Sequence, residues 1–253
     1  MGVIMNENIL IQNKQSWDTM AGSWIGSTAL PEYGCLIPTE EDLGLFPDLS
    51  EKKVLDIGCG SGHSLKWCGD KGASELWGLD LSSKQIEIAR QFLCDNNYEV
   101  KLINSPMEVS CGLPAEYFDV VYSIYAIGWT VDLQTTFQNV ASYLKKDGIF
   151  IFSWDHPLMH CLDANDNSLM FKDSYLKEED FSYAQRGNPV TIKNRKLSTY
   201  INSLAGAGFL VERLVEETDR QVVEMPAPFQ EGYYTPYKAK NFPLSFIIKA
   251  RKL

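Results

Sequence analysis

The stretch that decides the fold is Val54-Leu55-Asp56-Ile57-Gly58-Cys59-Gly60-Ser61-Gly62-His63-Ser64. A short apolar run with a β-branched residue at each end is followed by glycines at alternate positions, and an apolar-periodic segment starts at Leu65. This order predicts a strand, a tight turn and the start of a helix. Glycine permits positive φ and close approach of a ligand, and the N–H groups at a helix start attract a carboxylate or a phosphate. The stretch therefore predicts a ligand-binding loop.

The spacing of the glycines discriminates between ligands. A dinucleotide-binding loop has the pattern G-x-G-x-x-G, whereas this loop has glycine at alternate positions and an acid, Asp56, two residues before the first glycine. A carboxylate beside the loop would repel a pyrophosphate but would balance an ammonium or a sulfonium group. The loop thus favours a cationic ligand group over a phosphate. An ordinary glycine-rich turn without a ligand is the alternative.

The loop resembles that of class I S-adenosylmethionine-dependent methyltransferases. The shared pattern is D-x-G-x-G-x-G between a strand and a helix, and in that family the methionine moiety of the cofactor lies over the loop. The resemblance implies S-adenosylmethionine as cofactor. It also implies that the cofactor contacts Asp56, Gly58, Cys59, Gly60 and Gly62.

The next predicted strand, Glu75–Asp80, ends in an acid. A carboxylate at the C-terminal tip of a second strand can accept two hydrogen bonds from a ribose diol, and a βαβ unit brings this tip beside the glycine loop. The local pattern G-x-D-x-S also matches the family, which implies that Asp80 and Leu81 bind the cofactor. The alternative for Asp80 is a surface acid at a strand end.

A third strand, residues 100–103, leads into a loop that the family uses for the adenine. The family usually offers an aspartate to the adenine amino group and an apolar side chain to the ring. This chain has Ser105 near the position of the expected acid. Met107 and Glu108 remain as the predicted adenine neighbours.

The fourth predicted strand is Phe118–Ile124, which contains the family pattern F-D-x-V followed by a small or polar residue near the strand tip. The resemblance assigns Ser123 to the reacting end of the cofactor. For Asp119 we prefer the interpretation of a strand-start acid without cofactor contact. Tyr125 and Trp129 either face the acceptor or cap the core, and the sequence does not decide between these alternatives.

A helix over residues 133–144 and a turn at 145–148 precede the fifth predicted strand, residues 149–153. His156 follows that strand, where open α/β sheets bind ligands. An unperturbed imidazole titrates near neutrality, so His156 is the candidate base or acceptor contact. The alternative is a loop histidine that bonds only to the backbone.

Two segments outside the predicted strands are candidates to cover the site. Residues 1–49 are predicted to form a helical cap with one or two short helices. In this cap, Trp17 and Trp24 either pack the helix onto the domain or flank the cofactor methyl group, and Tyr33 is a candidate for the second role. Residues 158–195 are aromatic and lack clear periodicity, which suggests a substrate lid.

The end of the chain completes the predicted fold. A helix at 197–204, a sixth strand at Phe209–Val215 and a last strand at 243–250 fit the family, in which the seventh strand lies antiparallel between the fifth and sixth. We therefore expect one α/β domain over residues 1–253. Its centre would be a doubly wound, mostly parallel seven-stranded sheet with an antiparallel last strand.

Composition limits the partners. The chain has 253 residues, of which 45% are hydrophobic and 22% charged, which suits a globular domain with a full core. A net charge of -10 would repel a long polyanion, so no nucleic-acid partner is expected. No apolar run approaches the about 18 residues that cross a bilayer. The cysteines form no C-x-x-C pair and follow no secretory leader, so we expect a cytoplasmic protein with free thiols and neither a membrane partner nor a metal site.

Three functions are compatible with these patterns. The leading hypothesis is methyl transfer from S-adenosylmethionine to a small molecule with an apolar or planar surface, by in-line SN2 displacement. The Asn/Asp-Pro-Pro-aromatic pattern of amino-methylating DNA enzymes is absent from the fourth strand, which favours a small acceptor. A nicotinamide-dependent oxidoreductase is the second hypothesis, disfavoured by the glycine spacing and Asp56. A non-catalytic binder of S-adenosylmethionine or S-adenosylhomocysteine is the third.

Overall fold

The centre of the protein is a seven-stranded sheet in the computed structural model, which describes residues 2–165 and 168–253. Its parallel part is built from the apolar runs that the sequence shows. The strands within the described residues are β1 (Lys53–Ile57), β2 (Glu75–Asp80), β3 (Val100–Asn104), β4 (Phe118–Ile124), β5 (Leu144–Asp155), β6 (Leu162–Asn165), β7 (Ser168–Phe171), β8 (Asp180–Gln185), β9 (Asn188–Lys193), β10 (Phe209–Val215) and β11 (Ser245–Lys252).

The order of the strands confirms the predicted fold class. The sheet runs β10-β11-β5-β4-β1-β2-β3. The pairs β1–β2, β2–β3, β1–β4 and β4–β5 are parallel, whereas β11 is antiparallel to both of its neighbours, β5 and β10. The last strand therefore lies between the fifth and sixth predicted strands, as expected. The strand order reverses between β1 and β4, and such a switch point opens a crevice at the carboxyl ends of the strands.

Helices cover both faces of this sheet. Successive side chains of a strand point to opposite faces. In β5, Phe150 and Phe152 join the core that contains Phe137, whereas Ile149 and Ile151 join the core on the other face. Residues 149–152 of β5 are buried on both faces, which is why this part of the strand is apolar without alternation. The helices are α1 (Gly2–Met20), α2 (Glu40–Leu43), α3 (His63–Asp70), α4 (Ser83–Asp95), α5 (Leu133–Tyr143), α6 (Leu197–Gly206), α7 (Arg220–Glu224) and α8 (Pro236–Ala239).

The turn predicted before the fifth strand is part of that strand. Helix α5 ends at Tyr143 and β5 begins at Leu144, so the sequence prediction placed the strand start too late. The pairing with β4 shifts register between Phe118 and Val120, and Asp147 has a φ of 61°. The glycine and charged residues that suggested a turn therefore form an irregular strand start.

The N-terminal segment forms one 19-residue helix, α1, where one or two short helices were predicted. Polar contacts dock it. The Asn13 side chain donates to the Thr191 carbonyl at 2.7 Å and accepts from the Thr191 N–H at 2.9 Å. Asp18 accepts from the Ser82 hydroxyl at 2.7 Å and from the Lys84 N–H at 3.2 Å. Helix α1 thus bridges β9 and the start of α4.

The segment predicted as a lid without periodicity forms two β-hairpins. Strands β6 and β7 pair antiparallel, as do β8 and β9. The β8–β9 turn contains Arg186 with a φ of 48° and Gly187 with a φ of 80°. Residues 166 and 167 of the predicted lid lie outside the described residues. Each of the six cysteines is a free thiol. None of the helices in residues 2–165 and 168–253 combines the length and the apolar character that spanning a bilayer requires.

Candidate functional site

A cavity of about 600 Å³ lies at the carboxyl ends of β1, β2, β4 and β5. It is therefore at the switch point of the sheet, where α/β folds bind their ligands. The wall includes part of the glycine loop, the tip of β2, the loop after β3 and aromatic side chains from both ends of the chain. Predicted site residues in this wall are Trp17, Asp56, Gly58, Cys59, Gly60, Asp80, Leu81, Met107 and Glu108.

The glycine loop is held against β2 and against the segment after β4. The N–H groups of Gly58 and Cys59 donate to the Leu79 carbonyl at 2.7 and 3.0 Å. A Cβ on Gly58 would lie 2.2 Å from the Ala126 Cβ, so a side chain here would push the two segments apart. A Cβ on Gly60, where φ is +51°, would meet no atom within 4 Å. The loop thus leaves open space beside its own backbone, which a ligand can fill.

Asp80 is the acid beside this open space. Its Oδ2 accepts from the Gly60 N–H at 2.9 Å and its Oδ1 accepts from the Ser82 N–H at 2.8 Å. A carboxylate has about four lone-pair sites, so each oxygen keeps acceptor capacity for a ligand. Burial raises the pKa of Asp80 to about 6. The carboxylate is fixed in orientation and suits a vicinal diol that donates two hydrogen bonds.

Asp56 adds an unsatisfied acceptor to the same wall. Its side chain is 2% exposed, and among the described residues no hydrogen bond reaches Oδ1, although the buried Tyr122 hydroxyl, which also has no bonded partner, lies close enough to lower the pKa of Asp56. Most buried polar atoms in proteins have a partner, so Oδ1 can accept either from Tyr122 or from a ligand in the cavity. Burial and the nearby charge of Asp80 raise the pKa of Asp56 well above its usual range. An ammonium group would satisfy this oxygen and favour the charged carboxylate.

The loop after β3 provides a second unsatisfied acceptor. Oε1 of Glu108 accepts from the Val131 N–H at 2.6 Å, whereas no described residue bonds its buried Oε2. Met107 and Ser105 line the cavity next to it. An exocyclic amino group of a planar ring would match the free oxygen of Glu108, and Met107 offers an apolar contact to such a ring.

Four tryptophans form a continuous part of the wall. The Trp17 ring lies 5.8 Å from Trp24 and 5.2 Å from Trp129, and Trp129 lies 5.8 Å from Trp154. All four line the cavity. Trp17 therefore packs α1 onto the domain, which is the first alternative, and also lines the cavity; its contact with the cofactor methyl group stays a prediction.

Three residues predicted to bind the cofactor lie outside this wall. Tyr33 is fully buried and donates to Glu40 Oε2 at 2.6 Å. Ser123 donates to the Ile57 carbonyl at 2.7 Å and thereby ties β4 to β1. A Cβ on Gly62 would meet Leu93 and Ala89 of α4 at 3.0 and 3.2 Å, so this glycine allows two helices to pack closely. The predictions for Tyr33, Ser123 and Gly62 are corrected accordingly.

His156, the predicted base, is also outside the wall. Its Nδ1 accepts from the Leu158 N–H at 3.2 Å, and its Nε2 lies 2.7 Å from Glu216 Oε1. Both ring nitrogens are thus engaged with the protein, and burial lowers the pKa of the imidazole. His156 is thus held by a backbone N–H, as in the alternative, and also by the Glu216 side chain, so it does not face the cavity as a base.

Sequence reasoning missed the acid that does face the cavity at the end of β5. Asp155 Oδ1 accepts from the hydroxyls of Tyr125 and Tyr234 at 2.8 and 2.6 Å, and its Oδ2 accepts from Tyr233 at 3.3 Å. His160 lies beside Tyr233 in the same wall. The rule that singled out Asp80, a carboxylate at the tip of a parallel strand, applies equally to Asp155 and was the signal available.

Comparison with known proteins relates this chain to methyltransferases. A family model of the methyltransferase domain matches residues 55–152. An uncharacterised protein of Haemophilus influenzae is 30% identical over 227 residues, which cover 83% of this chain and 85% of the relative. The ubiquinone biosynthesis O-methyltransferase of Salmonella paratyphi A is 30% identical over 115 residues, 46% of each chain. The solved structure of an S-adenosylmethionine-dependent methyltransferase from Mesorhizobium loti is similar, with a TM-score of 0.70, 26% identity and coverage of 83% of this chain and 95% of that one.

Proposed function

This chain belongs to the class I S-adenosylmethionine-dependent methyltransferase family, and we propose that it methylates a small-molecule acceptor with an apolar or planar surface. The observation that carries this proposal is that one cavity contains both the glycine loop with Asp80 and a wall of aromatic side chains. A cavity of about 600 Å³ is within the range of pockets that enclose small molecules. Cofactor and acceptor would therefore meet in one enclosed space.

Four acidic or apolar side chains would hold S-adenosylmethionine in this cavity. Asp80 would accept hydrogen bonds from the ribose hydroxyls, and Asp56 would bind the ammonium of the methionine moiety. Glu108 and Met107 would contact the adenine. Two carboxylate oxygens support the assignment: Glu108 Oε2 has no donor among the described residues, and Asp56 Oδ1 can accept from a ligand as well as from Tyr122.

The chain's own contribution to the reaction is alignment and exclusion of water. When bound, S-adenosylmethionine supplies a methyl group that its sulfonium has already activated for displacement. Trp17 lines the cavity from α1, Trp129 lines it from the segment after β4, and Phe181 and Tyr183 line it from β8. We propose that α1 and the hairpin β8–β9 close over the acceptor, which keeps it at attack distance and limits hydrolytic side reactions.

One relative's name and the net charge of this chain also support a small acceptor. The Salmonella relative is, by its name, an O-methyltransferase of ubiquinone biosynthesis. The net charge of -10 argues against a polyanionic acceptor. The free cysteines are compatible with the cytoplasmic location that we propose.

Fractionated cell extract tests the size class of the acceptor. We expect that the protein and S-adenosylmethionine produce S-adenosylhomocysteine when supplied with the low-molecular-weight fraction of a bacterial extract, as measured by mass spectrometry. The fraction that retains nucleic acids and proteins should give only background turnover. The Asp80→Asn variant serves as the control for background. Turnover confined to the macromolecular fraction would contradict the proposal.

The affinity for S-adenosylhomocysteine should fall on mild acidification. Burial raises the pKa of Asp80 to about 6, so the carboxylate is charged above this pH and takes up a proton below it. Because the ribose hydroxyls bond to the charged form, we expect affinity to fall by up to about tenfold between about pH 7.5 and pH 5. Isothermal titration across this range measures the effect. Asp80→Asn should show a smaller pH dependence, and an unchanged native affinity at pH 5 would refute the role of Asp80.

A further inference from the structure

We propose that Asp155 binds a positively charged amino group of the acceptor, which makes an apolar or planar amine the substrate class. This inference rests on the proposed function, because it places the acceptor in the aromatic part of the cavity. It concerns recognition of the amine, whichever acceptor atom receives the methyl group. The amine-binding site is defined here as Asp155 with Tyr125, Tyr233 and Tyr234.

Asp155 is held in a fixed position in the cavity wall. It is 8% exposed at the carboxyl end of β5, where it lines the cavity. Tyrosine hydroxyls from two distant parts of the chain fix both of its oxygens, one from the end of β4 and two from residues 233–234. Tyr125 also bonds to the Ser245 hydroxyl. The carboxylate therefore has a defined position and cannot turn towards solvent without loss of several hydrogen bonds.

The protein does not neutralise this carboxylate with a cation of its own. Within residues 2–165 and 168–253, every ion pair involves acids other than Asp155, and the hydrogen-bond donors that reach it are neutral hydroxyls. Burial lowers the pKa of the neighbouring His160 to about 4, so this imidazole is neutral at pH 7. Two lysines lie near the site without pairing with Asp155. Lys172 lines the cavity from an exposed position, and the buried Lys238 ammonium lies 5.8 Å from the centre of the Tyr233 ring and 3.3 Å from the Tyr233 carbonyl oxygen. A buried, uncompensated carboxylate favours a ligand that carries the missing positive charge.

The groups around Asp155 also select against other ligands. Asp155 accepts from the hydroxyls of Tyr125, Tyr233 and Tyr234, so these hydroxyl protons are not free to bond a ligand. A ligand at this site would contact mainly the remaining carboxylate lone pairs and the faces of the tyrosine rings. The Tyr125 ring lies 5.6 Å from Trp154 and 6.5 Å from Tyr234. Aromatic faces attract cations, most strongly where water is excluded. An ammonium matches both the carboxylate and the rings, whereas an anion matches neither.

The amine-binding site is next to the glycine loop. Tyr125, which donates to Asp155, directly precedes Ala126, and Ala126 packs so closely on Gly58 that no Cβ fits between them. Tyr125 contacts Asp155 and the adjacent Ala126 contacts Gly58, so these two consecutive residues link Asp155 to the glycine loop. An acceptor whose amine contacts Asp155 would have its planar body between this site and the cofactor.

Binding of matched probes to the native protein tests the proposal directly. The probes are 2-phenylethylamine, its neutral analogue 2-phenylethanol and the anion 3-phenylpropionate, titrated into protein saturated with S-adenosylhomocysteine. We expect the amine to bind at least about tenfold more tightly than the alcohol, as for a charge-assisted hydrogen bond, and the anion to bind most weakly. Equal binding of amine and alcohol, preference for the anion, or no binding of the amine would each overturn the proposal.

Variants then locate the preference. Asp155→Asn should weaken amine binding about tenfold and leave alcohol binding and S-adenosylhomocysteine binding within about twofold. Glu216→Gln is the matched control, because it removes a charge outside the cavity next to His156. A second measurement uses the native protein and serves if Asp155→Asn does not fold. Burial raises the pKa of Asp155 to about 6, so the preference for the amine over the alcohol should shrink between about pH 7.5 and pH 5. An amine preference that survives in folded Asp155→Asn would refute the assignment.

The two proposals fail in different ways. If S-adenosylhomocysteine binds and the amine preference is absent, the amine-binding site is wrong and the methyltransferase proposal is untouched. If the amine preference depends on Asp155 while the low-molecular-weight extract gives no turnover, the amine-binding site stands and the proposed acceptor size is wrong.

Discussion

Asp80→Asn is expected to weaken the binding of S-adenosylhomocysteine about 100-fold, because an amide cannot accept both ribose hydrogen bonds while it also accepts from Gly60 and Ser82. Hydrogen bonds to a charged acceptor contribute about 1.5–3 kcal/mol each. The fold should tolerate the change. Burial disfavours the charged form of Asp80, as its raised pKa of about 6 indicates, and removal of this charge offsets part of the cost of leaving the N–H of Gly60 or Ser82 without its acceptor. Isothermal titration measures the affinity, and thermal unfolding measures the stability.

The control for this substitution is another acid of the same sheet. Asp119 accepts from the Lys53 N–H at 3.0 Å and pairs with Lys145 at 2.8 Å, away from the cavity wall. Asp119→Asn should leave the affinity for S-adenosylhomocysteine unchanged. NADH should bind to neither variant nor to the native chain. An affinity of Asp80→Asn within about threefold of the native value would mean that the diol is bound elsewhere.

Gly128→Ala is expected to lower the free energy of unfolding by about 3 kcal/mol, the upper part of the usual range for overpacking. The added Cβ would lie 1.8 Å from Cε2 and 2.1 Å from Nε1 of Trp154. Trp154 is 6% exposed and packs against Trp129 and Tyr125, so its indole has little room to move. For a chain of this size, the change corresponds to a fall in Tm of about 6–12 °C.

Gly206→Ala is the matched control for this prediction. Gly206 is the last residue of α6, and a Cβ there would meet only Gln134, at 3.5 Å or more. Alanine is favoured over glycine in helices, so the control should be neutral or slightly stabilising. If the Tm of Gly128→Ala equals that of Gly206→Ala, the Trp154 side chain can move to make room for the added methyl group. The cavity that Trp154 lines would then be deformable.

Strands and strand tips could be predicted from the sequence because their signals are local. Glu75–Asp80, Phe118–Ile124 and Phe209–Val215 have the predicted bounds, since each is an apolar run that turn residues delimit. Asp80 lies in the cavity wall for the same reason. A parallel sheet places the carboxyl ends of its strands at one edge. The position of a carboxylate beside the glycine loop can therefore be predicted from the strand order alone.

Side-chain direction could not be read from the sequence. Along a strand, neighbouring residues face opposite sides, so an error of one position exchanges a buried contact for a site residue. The sequence favours His156, but its neighbour Asp155 lines the cavity. It also favours Ser123, but the cavity is lined by the next two residues, Ile124 and Tyr125. Tyr33 failed for a related reason, because its hydroxyl found the carboxylate of Glu40 inside the N-terminal segment.

The amine-binding site is the part that no local pattern could reveal. Tyr233 and Tyr234 are 78 and 79 positions from Asp155 in the chain, in a connection without regular periodicity. Only the folded chain brings them to the end of β5. The two hairpins of residues 158–195 were hidden for a different reason, since their strands are only four to six residues long, too short for a clear pattern.

A crystal structure of the native protein with S-adenosylhomocysteine tests the central claim most directly. The predicted result is a ribose whose two hydroxyls lie within hydrogen-bond distance of the Asp80 carboxylate, with the ligand's ammonium on Asp56 and its adenine beside Met107 and Glu108. The contradicting result is S-adenosylhomocysteine bound elsewhere, with the Asp80 carboxylate still bonded only to the amides of Gly60 and Ser82.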